Sequence, residues 1–581
     1  MQAAPPPAGP TDPSRASLLR RDLTRLRETT FDVAVVGAGI YGAWVALDAA
    51  RRGLRVVVFD QADFGHSTSA NSQRIVHGGL RYLQHANLKR FRESVRERST
   101  LLRLAPQLVR PMPVLVPAEG FGLKGRMVLG LGVKLNDLLS AKRNRDLPAG
   151  QELPDCQAVT REECLDIFPG FDRQSLRGGV LFHDAQVHNS ERLCLSVLHS
   201  AAAEGALPMN YLRATGLVRE AGTVVGVEAE DLPTGERLRV RAKTVIACCG
   251  PWTARGPAAA DDALSNERFP VFRAVVLVTR PFLGRAAVAL AGRQGYEDEA
   301  ELLSKGYRNY FVTPWRDRAL VGTFYTEWDA DPDRVTVTTS EIEGFLREFR
   351  EICPFVKLEI GDVKHVFAGL LPRDPSSRTD SIQYAKLYRI VDHEREGGLK
   401  GLISVVGVKW TTARQVAEEA VDLALLRSGH EAVASRSAAE PLYGGDCGSV
   451  QEYIEAQKAL RPAELSLDSF EHLIWNHGTA YHDVLAWCRD DPALLRPIVD
   501  GRPEILAEVA HGVRAEMALN LDDVIFRRAP LGTAGRPPRE CVERCATWMA
   551  AELGWNDEQR SRQIERVDAV YEQLGIGDAG D

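Results

Sequence analysis

The chain has 581 residues, 44% of them hydrophobic and 26% charged, which is the composition of a globular protein with room for about three or four domains. Its formal net charge of −7 gives no reason to expect a nucleic acid as a partner. No apolar run reaches the roughly 18 to 20 residues that a membrane-spanning helix needs.

The N-terminal segment, residues 1–30, is predicted to be disordered at first and basic afterwards. Residues 14–27 predict an amphipathic helix with four leucines on one face and arginines elsewhere. Two interpretations stay open: a helix packed on the protein, or peripheral contact with an anionic membrane surface. The basic residues are not followed by the apolar segment of a secretory signal, and the ten cysteines form no C-x-x-C pair. We therefore expect a cytoplasmic protein with reduced thiols, which would be peripheral on the inner face of the membrane if the helix binds lipid.

Residues 31–60 predict a strand, a glycine turn, a helix and a second strand. Gly37, Gly39 and Gly42 have the G-x-G-x-x-G spacing, which permits a tight turn, the approach of a pyrophosphate and close packing of helix on strand. Asp60 ends the second strand, where a carboxylate binds a ribose hydroxyl. The alternative is an ordinary α/β turn without a ligand.

The downstream pattern alternates helices and strands and then becomes helical. In chain order it predicts a helix at 84–109, a strand at 114–117, a helix at 127–141, a strand at 178–187, a helix at 190–204, β-rich sequence at 210–245, a buried strand at 243–252, antiparallel strands within 271–345, a strand, turn and helix at 402–425, a linker at 430–446 and helices at 447–575.

Four predicted turns carry chemistry: Gly37–Gly42, His77–Tyr82, Gly250–Trp252 and Gly407–Thr412. A single cofactor that touches all four must be long, which favours FAD over NAD. A helix that begins near Thr411 would point its positive end at the turn, and Lys409 adds charge there, so the pair would stabilise an anionic reduced flavin.

These motifs also carry a family resemblance. The matching pieces are GAGIYGAWVALDAARRGLRVVVFDQADF, STSANSQRIVHGGLRYL, DAQVHNSERL, FVTPW with LVGTF, SVVGVKWTTARQVAE and LNLDDVIFRR. The chain resembles the FAD-dependent glycerol-3-phosphate dehydrogenase family, a branch of the D-amino-acid-oxidase-like flavoproteins. The resemblance implies an α/β fold with a Rossmann-like FAD-binding domain at 31–117, 176–265 and 366–430, an antiparallel β substrate domain at 118–175 and 266–365, and a C-terminal α-helical domain at 440–575.

The resemblance implies that a hydride passes from C2 of glycerol 3-phosphate to flavin N5, giving dihydroxyacetone phosphate, and that electrons then pass to a quinone or another acceptor. Arg81 would bind the anionic group of the substrate, Tyr82 would shape the pocket or bind the hydroxyl, and Lys409 would lie near flavin and substrate. For both Arg81 and Lys409 a purely structural role is the alternative. The predicted cofactor-binding residues, besides Gly37, Gly39, Gly42 and Asp60, are Ser67, Thr68, Ser72, His77, Gly78, Gly79, Gly250, Gly407, Thr411 and Thr412.

Three positions depart from the family pattern. Val276 stands where the family commonly has a histidine, Leu371 where it has an arginine that binds the substrate anion, and Tyr325 where a Gly-Thr-Thr-Asp turn has its aspartate. Arg273 and Arg373 are candidate replacement cations.

Three functions therefore stay open. The first is glycerol-3-phosphate oxidation with a modified pocket, the second is the same flavin chemistry on another hydroxy or amino substrate, and the third is an FAD-binding protein without turnover. The expected partners are a small anionic substrate and an electron acceptor, with self-association as a homodimer through the helical tail. The histidines are dispersed, so we predict no metal.

Overall fold

The computed structural model describes residues 19–80, 82, 87–119, 126–253, 270–296, 306–373 and 388–576. Arg81 and residues 1–18 therefore lie outside the described residues. The strands in the described parts are β1 (Phe31–Val36), β2 (Val56–Phe59), β3 (Ile75–Val76), β4 (Val109–Glu119), β5 (Gln157–Val159), β6 (Leu176–Val187), β7 (Leu207–Met209), β8 (Leu212–Glu220), β9 (Thr223–Asp231), β10 (Glu236–Ala247), β11 (Val271–Thr279), β12 (Ala287–Tyr296), β13 (Gly306–Trp315), β14 (Arg318–Trp328), β15 (Val363–Pro372), β16 (Arg389–Asp392) and β17 (Leu402–Val406).

The α-helices follow the predicted order closely. They span Leu23–Glu28, Ile40–Arg51, Leu88–Leu104, Arg126–Leu139, Arg161–Ile167, Ser190–Ala203, Thr339–Ile352, His393–Gly397, Ala413–Ser428, Val450–Gln457, Leu467–His477, Tyr481–Ala486, Leu506–Glu516, Leu521–Asp523, Arg539–Leu553 and Asp557–Gln573.

The first sheet is built around the predicted nucleotide-binding strands. Its order is β16-β17-β10-β1-β2-β7, and the hairpin β8-β9 joins through β10. The pairs from β17 to β7 are parallel, and every residue of β1 is buried. A fully buried parallel strand explains the uninterrupted apolar run of the sequence. Helix Ile40–Arg51 contacts both Ser190–Ala203 and Ala413–Ser428, so this core joins distant parts of the chain.

The second sheet is mainly antiparallel, in the order β15-β11-β14-β13-β12-β4-β6-β3, with β5 on β6. Side chains alternate along β11: Val275 and Leu277 pack in one core with Phe345, while Ala274 and Val276 face the opposite side. The antiparallel sheet predicted for residues 271–345 is present. β4 and β6 belong to this sheet too, because β4 pairs with β12 and β6 pairs with β4 along its whole length, although the predicted boundaries put most of both strands in the cofactor domain.

The basic N-terminal helix is shorter than predicted. It begins at Leu23, because the Asp22 carboxylate accepts a hydrogen bond from the Arg25 backbone N–H at 2.8 Å and caps it. Leu26 is 0% exposed and packs in the core of the first sheet, and Arg27 pairs with Glu236 of β10. The described part of this segment is thus ordered and packed on the protein, the first of the two interpretations.

Residues 450–573 are almost wholly helical, as predicted, and contact both sheets: Met517 packs in the core beside the first sheet and Val570 packs against that of the second. An ionic contact joins this region to the loop after β2: the buried carboxylate of Asp63 accepts hydrogen bonds from Arg527 Nε at 2.5 Å and from Arg528 Nη1 at 2.7 Å. These arginines end the LNLDDVIFRR motif. Among the described helices, none is both long and apolar enough to cross a membrane.

Candidate cofactor and substrate site

A cleft of about 380 Å³ lies between the two sheets. Residues from all four predicted turns line it, although some 370 positions separate the first turn from the last in the chain. The predicted site residues in its wall are Gly37, Gly39, Asp60, Ser67, Thr68, Ser72, His77, Gly250, Gly407, Lys409 and Thr411.

The glycine turn has the shape that a pyrophosphate requires. Gly37 has φ +96°, and a Cβ on it would lie 2.5 Å from the Cys248 carbonyl oxygen. Gly42 does not line the cleft: a Cβ there would lie 1.8 Å from the Gly37 carbonyl oxygen, so this glycine permits the close packing of helix on turn. The helix that begins at Ile40 has no side-chain cap from Gly39 and no acid in its first turn. Its N-terminus is therefore suited to a phosphate.

Two residues near this turn extend the prediction. Asp60 is anchored at the end of β2, since its Oδ2 accepts from the Ala38 backbone N–H at 2.7 Å and its Oδ1 from Ala62 at 3.1 Å. Ser69, which the sequence analysis did not single out, accepts from the Ile40 backbone N–H at 2.9 Å through Oγ. The first contact fixes a carboxylate at the position expected for a ribose partner.

Two of the predicted cofactor glycines have another role. A Cβ on Gly78 would lie 2.2 Å from Arg98 Nη1, and the Gly78 backbone N–H donates to Asp184 Oδ1 at 2.6 Å. Gly79 has φ +78° and packs against Tyr82 and Ser94. Neither glycine lines the cleft, so both shape the backbone behind His77.

A residue absent from the predicted site, Tyr41, holds the last turn in place. Its hydroxyl donates to the Lys409 carbonyl oxygen at 2.6 Å and accepts from the backbone N–H groups of Val408 at 3.1 Å and Lys409 at 3.0 Å. Burial raises the pKa of Tyr41 to about 12, so the phenol stays neutral. Tyr41 lies within the Gly37–Gly42 motif, and it thereby joins the first and last turns of the cleft.

The positively charged end of the cleft is formed by Lys409. Its Nζ lies 4.0 Å from the centre of the Tyr82 ring. Thr411 lines the cleft, whereas Thr412 does not; it precedes the helix that begins at Ala413 and is buried. A lysine and a helix N-terminus together supply positive potential at this point.

The three departures from the family pattern, Val276, Tyr325 and Leu371, all line the cleft. The candidate replacement cations do not. Arg273 lies on the face of β11 away from the cleft, where its guanidinium donates to Thr326 and pairs with Glu341. Side chains alternate along a strand, so a residue three positions from Val276 points to the other side.

Arg373 is also outside the cleft wall. Its guanidinium lies 3.7 Å from the Glu327 carboxylate and over the ring of Phe272 at 5.5 Å. The expectation that Arg273 or Arg373 replaces the missing substrate cation is therefore wrong for this arrangement of the side chains.

A hydrogen-bonded bridge between the two sheets includes two residues of the cleft wall, Gln61 and Trp252. Trp252 Nε1 donates to Asp333 Oδ1 at 2.8 Å, and Gln61 Nε2 donates to the same oxygen at 3.3 Å. Asp333 belongs to the loop after β14, whereas Gln61 follows Asp60. No local sequence pattern marks this contact, because its partners are 81 and 272 positions apart.

Three buried residues could in principle hold a metal ion: ligand atoms of His199, His511 and Glu516 lie within 4.8 Å of one another. Glu516, however, already pairs with the guanidinium of Arg192, and Arg528 Nε lies 3.6 Å away. Two cations at one carboxylate disfavour a third, and the group is better described as a buried ion-pair network. The prediction of no metal stays a prediction.

The fold and cleft define a dinucleotide-binding flavoprotein, in which the glycine turn, the Asp60 carboxylate and the Lys409 turn fit FAD. Residues 32–476 match the family model described as FAD dependent oxidoreductase, and the chain belongs to that family. Residues 435–560 match a second model, the C-terminal domain of alpha-glycerophosphate oxidase.

Named relatives span nearly the whole chain. A glycerol-3-phosphate dehydrogenase of Synechocystis is 30% identical over 569 residues, covering 96% of this chain and 99% of its own. Glycerol-3-phosphate dehydrogenase 2 of Mycobacterium tuberculosis is 31% identical, covering 94% and 89%. The crystal structure of the Bacillus halodurans glycerol-3-phosphate dehydrogenase complexed with FAD superposes with a TM-score of 0.73 over 97% of this chain at 22% identity, which supports the fold.

Proposed function

We propose that this protein is an FAD-dependent glycerol-3-phosphate dehydrogenase that oxidises its substrate at C2 to dihydroxyacetone phosphate. The observation that carries the proposal is the single cleft in which the glycine turn, the His77 turn, Gly250 and the Lys409 turn meet. When bound, FAD accepts the hydride. Relatives of almost the same length carry this activity in their names, and the two family models together cover residues 32–560, the first over the cofactor region and the second over the helical region.

The protein's own residues would bind and orient the substrate. Lys409 is positioned to attract an anionic substrate and to stabilise negative charge on the ring, because it lines the cleft beside the Tyr82 ring. Tyr82 would direct the hydroxyl-bearing carbon, and Arg81, which adjoins Tyr82 in sequence, would supply a second cation. Val276 and Leu371 make the remaining wall apolar, so substrate binding relies on fewer charged groups than the family pattern provides.

Anaerobic reduction tests the proposal directly. Purified holoenzyme is mixed with glycerol 3-phosphate without oxygen, and flavin absorbance is followed. Bleaching by this substrate, with no bleaching by glycerol, supports the proposal. If the flavin stays oxidised with glycerol 3-phosphate but bleaches with another alcohol or an amine, the substrate assignment fails. If only dithionite bleaches it, the assignment as an enzyme fails.

A substitution separates the role of Lys409 from general surface charge. Lys409→Met should lower the rate of flavin reduction about 100-fold, within the range expected for loss of one electrostatic contact to the transition state. The matched control is Lys400→Met, since the Lys400 side chain is 64% exposed and lies outside the cleft wall. An unchanged rate in Lys409→Met would exclude the proposed role.

We further propose a quinone as the electron acceptor. The support is indirect: the near full-length relatives are named dehydrogenases rather than oxidases. A soluble quinone analogue should reoxidise the substrate-reduced protein faster than air-saturated buffer does in a stopped-flow experiment. Faster reoxidation by oxygen would favour an oxidase instead.

A further inference from the structure

Two arginines lie on adjoining segments where the second sheet meets the C-terminal helices: Arg110 is paired with Gln186 across β4 and β6, and Gln186 Nε2 donates to the Pro314 carbonyl oxygen at 2.9 Å, two residues before Arg316. Arg110 is on β4, and Arg316 is in the turn between β13 and β14. Both side chains are half-buried. Each rests on a tryptophan: Arg110 lies 3.6 Å from the ring centre of Trp475, and Arg316 lies 4.4 Å from that of Trp315.

Neither arginine has an acidic partner within 4.0 Å among the described residues. Arg110 makes no side-chain hydrogen bond there, and its Nε is buried without an acceptor. Arg316 donates through Nη1 only to neutral oxygens, the Pro530 carbonyl and Thr533 Oγ1, both at 3.2 Å. Two partly desolvated guanidinium groups therefore lie in this region without a carboxylate in direct contact with either of them.

The nearest acids are engaged elsewhere or too distant. Glu191 is bound by Arg74 at 2.6 Å, and Asp317 is exposed and pairs with Arg318 at 2.5 Å. Glu504 is buried, but no Glu504 oxygen comes within 4.0 Å of either arginine, and its Oε2 has no hydrogen-bond partner in the described structure.

Burial and the positive charge of these arginines lower the pKa of the neighbouring titratable groups. His188, whose carbonyl oxygen accepts from Trp315 Nε1 at 2.8 Å, has a pKa well below its ordinary value because of burial and of Arg110, Arg316 and Arg74. Burial and the charge of Arg316 also lower the pKa of Arg110 to about 9. A neutral histidine beside unpaired arginines leaves the local potential positive.

We propose that Arg110 and Arg316 form a binding site for a small oxyanion of the phosphate type, separate from the cofactor cleft. Guanidinium groups present planar donor forks that match phosphate oxygens. The tryptophans hold both forks in place, so little side-chain entropy is lost on binding. A bound oxyanion would tie β4 to the turn between β13 and β14, and it would fix Arg110 where it rests on Trp475 of the helical region.

The probe is inorganic phosphate, added to holoenzyme at constant ionic strength while the unfolding midpoint is measured by tryptophan fluorescence. The midpoint of the wild-type protein should rise by roughly 2 °C at saturating phosphate, because a ligand that binds only the folded state stabilises it. Arg110→Gln and Arg316→Gln should abolish this rise. The matched control is Arg318→Gln, two residues from Arg316 but already paired with Asp317, and it should behave like wild type.

Phosphate could also enter the cofactor cleft, and the Lys409→Met variant distinguishes the two sites. A rise that persists in Lys409→Met and disappears in the Arg110 and Arg316 variants supports the proposal. A rise that persists in Arg110→Gln and Arg316→Gln overturns it, and so does a wild-type midpoint that phosphate leaves unchanged. If a glutamine variant does not fold, Arg316→Lys keeps the charge but loses the fork, and an undiminished rise there would also overturn it.

Discussion

The Asp63 carboxylate joins the cofactor-binding loop to the helical region, and its removal should destabilise the whole protein. Asp63 is 1% exposed and accepts hydrogen bonds from Arg527 Nε at 2.5 Å, from Arg528 Nη1 at 2.7 Å and Nη2 at 2.8 Å, and from Asn210 Nδ2 at 3.1 Å. The two guanidinium groups hold the pKa of Asp63 well below its ordinary value, against the effect of burial. The carboxylate is therefore charged at neutral pH.

The substitution Asp63→Asn keeps the volume and removes the charge. Breaking a buried ion pair from one side costs about 3 to 5 kcal/mol, because the partner charge remains buried without compensation. Arg527 also contacts Asp523, which limits the loss, so we expect about 3 kcal/mol. This is a large part of the roughly 5 to 15 kcal/mol that stabilises a typical protein.

Urea unfolding followed by fluorescence measures this difference, with flavin release recorded in parallel. The control is Asp557→Asn, whose side chain is 95% exposed and 3.3 Å from Arg560; it should change stability by less than about 0.5 kcal/mol. A loss below about 1 kcal/mol in Asp63→Asn would refute the reasoning, since it would mean that the ionic contact contributes no more than a surface pair.

Three further predictions concern single side chains. Gly42→Ala should abolish flavin binding or folding, because its Cβ would lie 1.8 Å from a carbonyl oxygen of the glycine turn. The measurement is the flavin absorbance per amount of protein, and the control is Gly132→Ala, since a Cβ there would meet open space. A normal flavin content in Gly42→Ala would contradict the packing argument. Asp333→Ala removes the acceptor of Trp252 Nε1 and should speed the release of flavin about tenfold, measured by its fluorescence, without changing the rate of reduction. An unaltered release rate would mean that the bridge does not retain the cofactor. Burial and a nearby arginine lower the pKa of His365 to about 3. Between pH 6.5 and pH 3 the unfolded chain therefore binds a proton that the folded protein does not, and the free energy of unfolding falls as the pH drops through that window. His365→Gln should reduce the dependence of that free energy on pH by up to about 1.4 kcal/mol per pH unit in unfolding titrations, and an equal pH dependence in the two proteins would contradict the prediction.

The sequence predicted the parts of the site that are local. The glycine turn, its helix and Asp60 lie within 30 residues, and their spacing alone encodes a geometry. The bonds from Tyr41 to the Lys409 turn and from Asp333 to Trp252 were missed, because each depends on how the sheets meet in space.

Arg273 shows an error that the sequence itself could have prevented. Val276 was already assigned to the substrate pocket, and alternation along a strand places positions 276 and 273 on opposite faces. Gly78 and Gly79 were predicted to bind the cofactor because they lie in a cofactor motif, but they permit close packing of the backbone behind the site.

The arrangement of the first sheet has a consequence for biosynthesis. β1 is almost the first described element to leave the ribosome, but β17 and the Lys409 turn follow some 370 residues later. At the roughly 5 to 20 residues per second of translation, the glycine turn is synthesised on the order of tens of seconds before β17 and the Lys409 turn. Cofactor capture is therefore a late event, and a chain that stops before residue 402 would lack β17 and the Lys409 turn from its cofactor cleft.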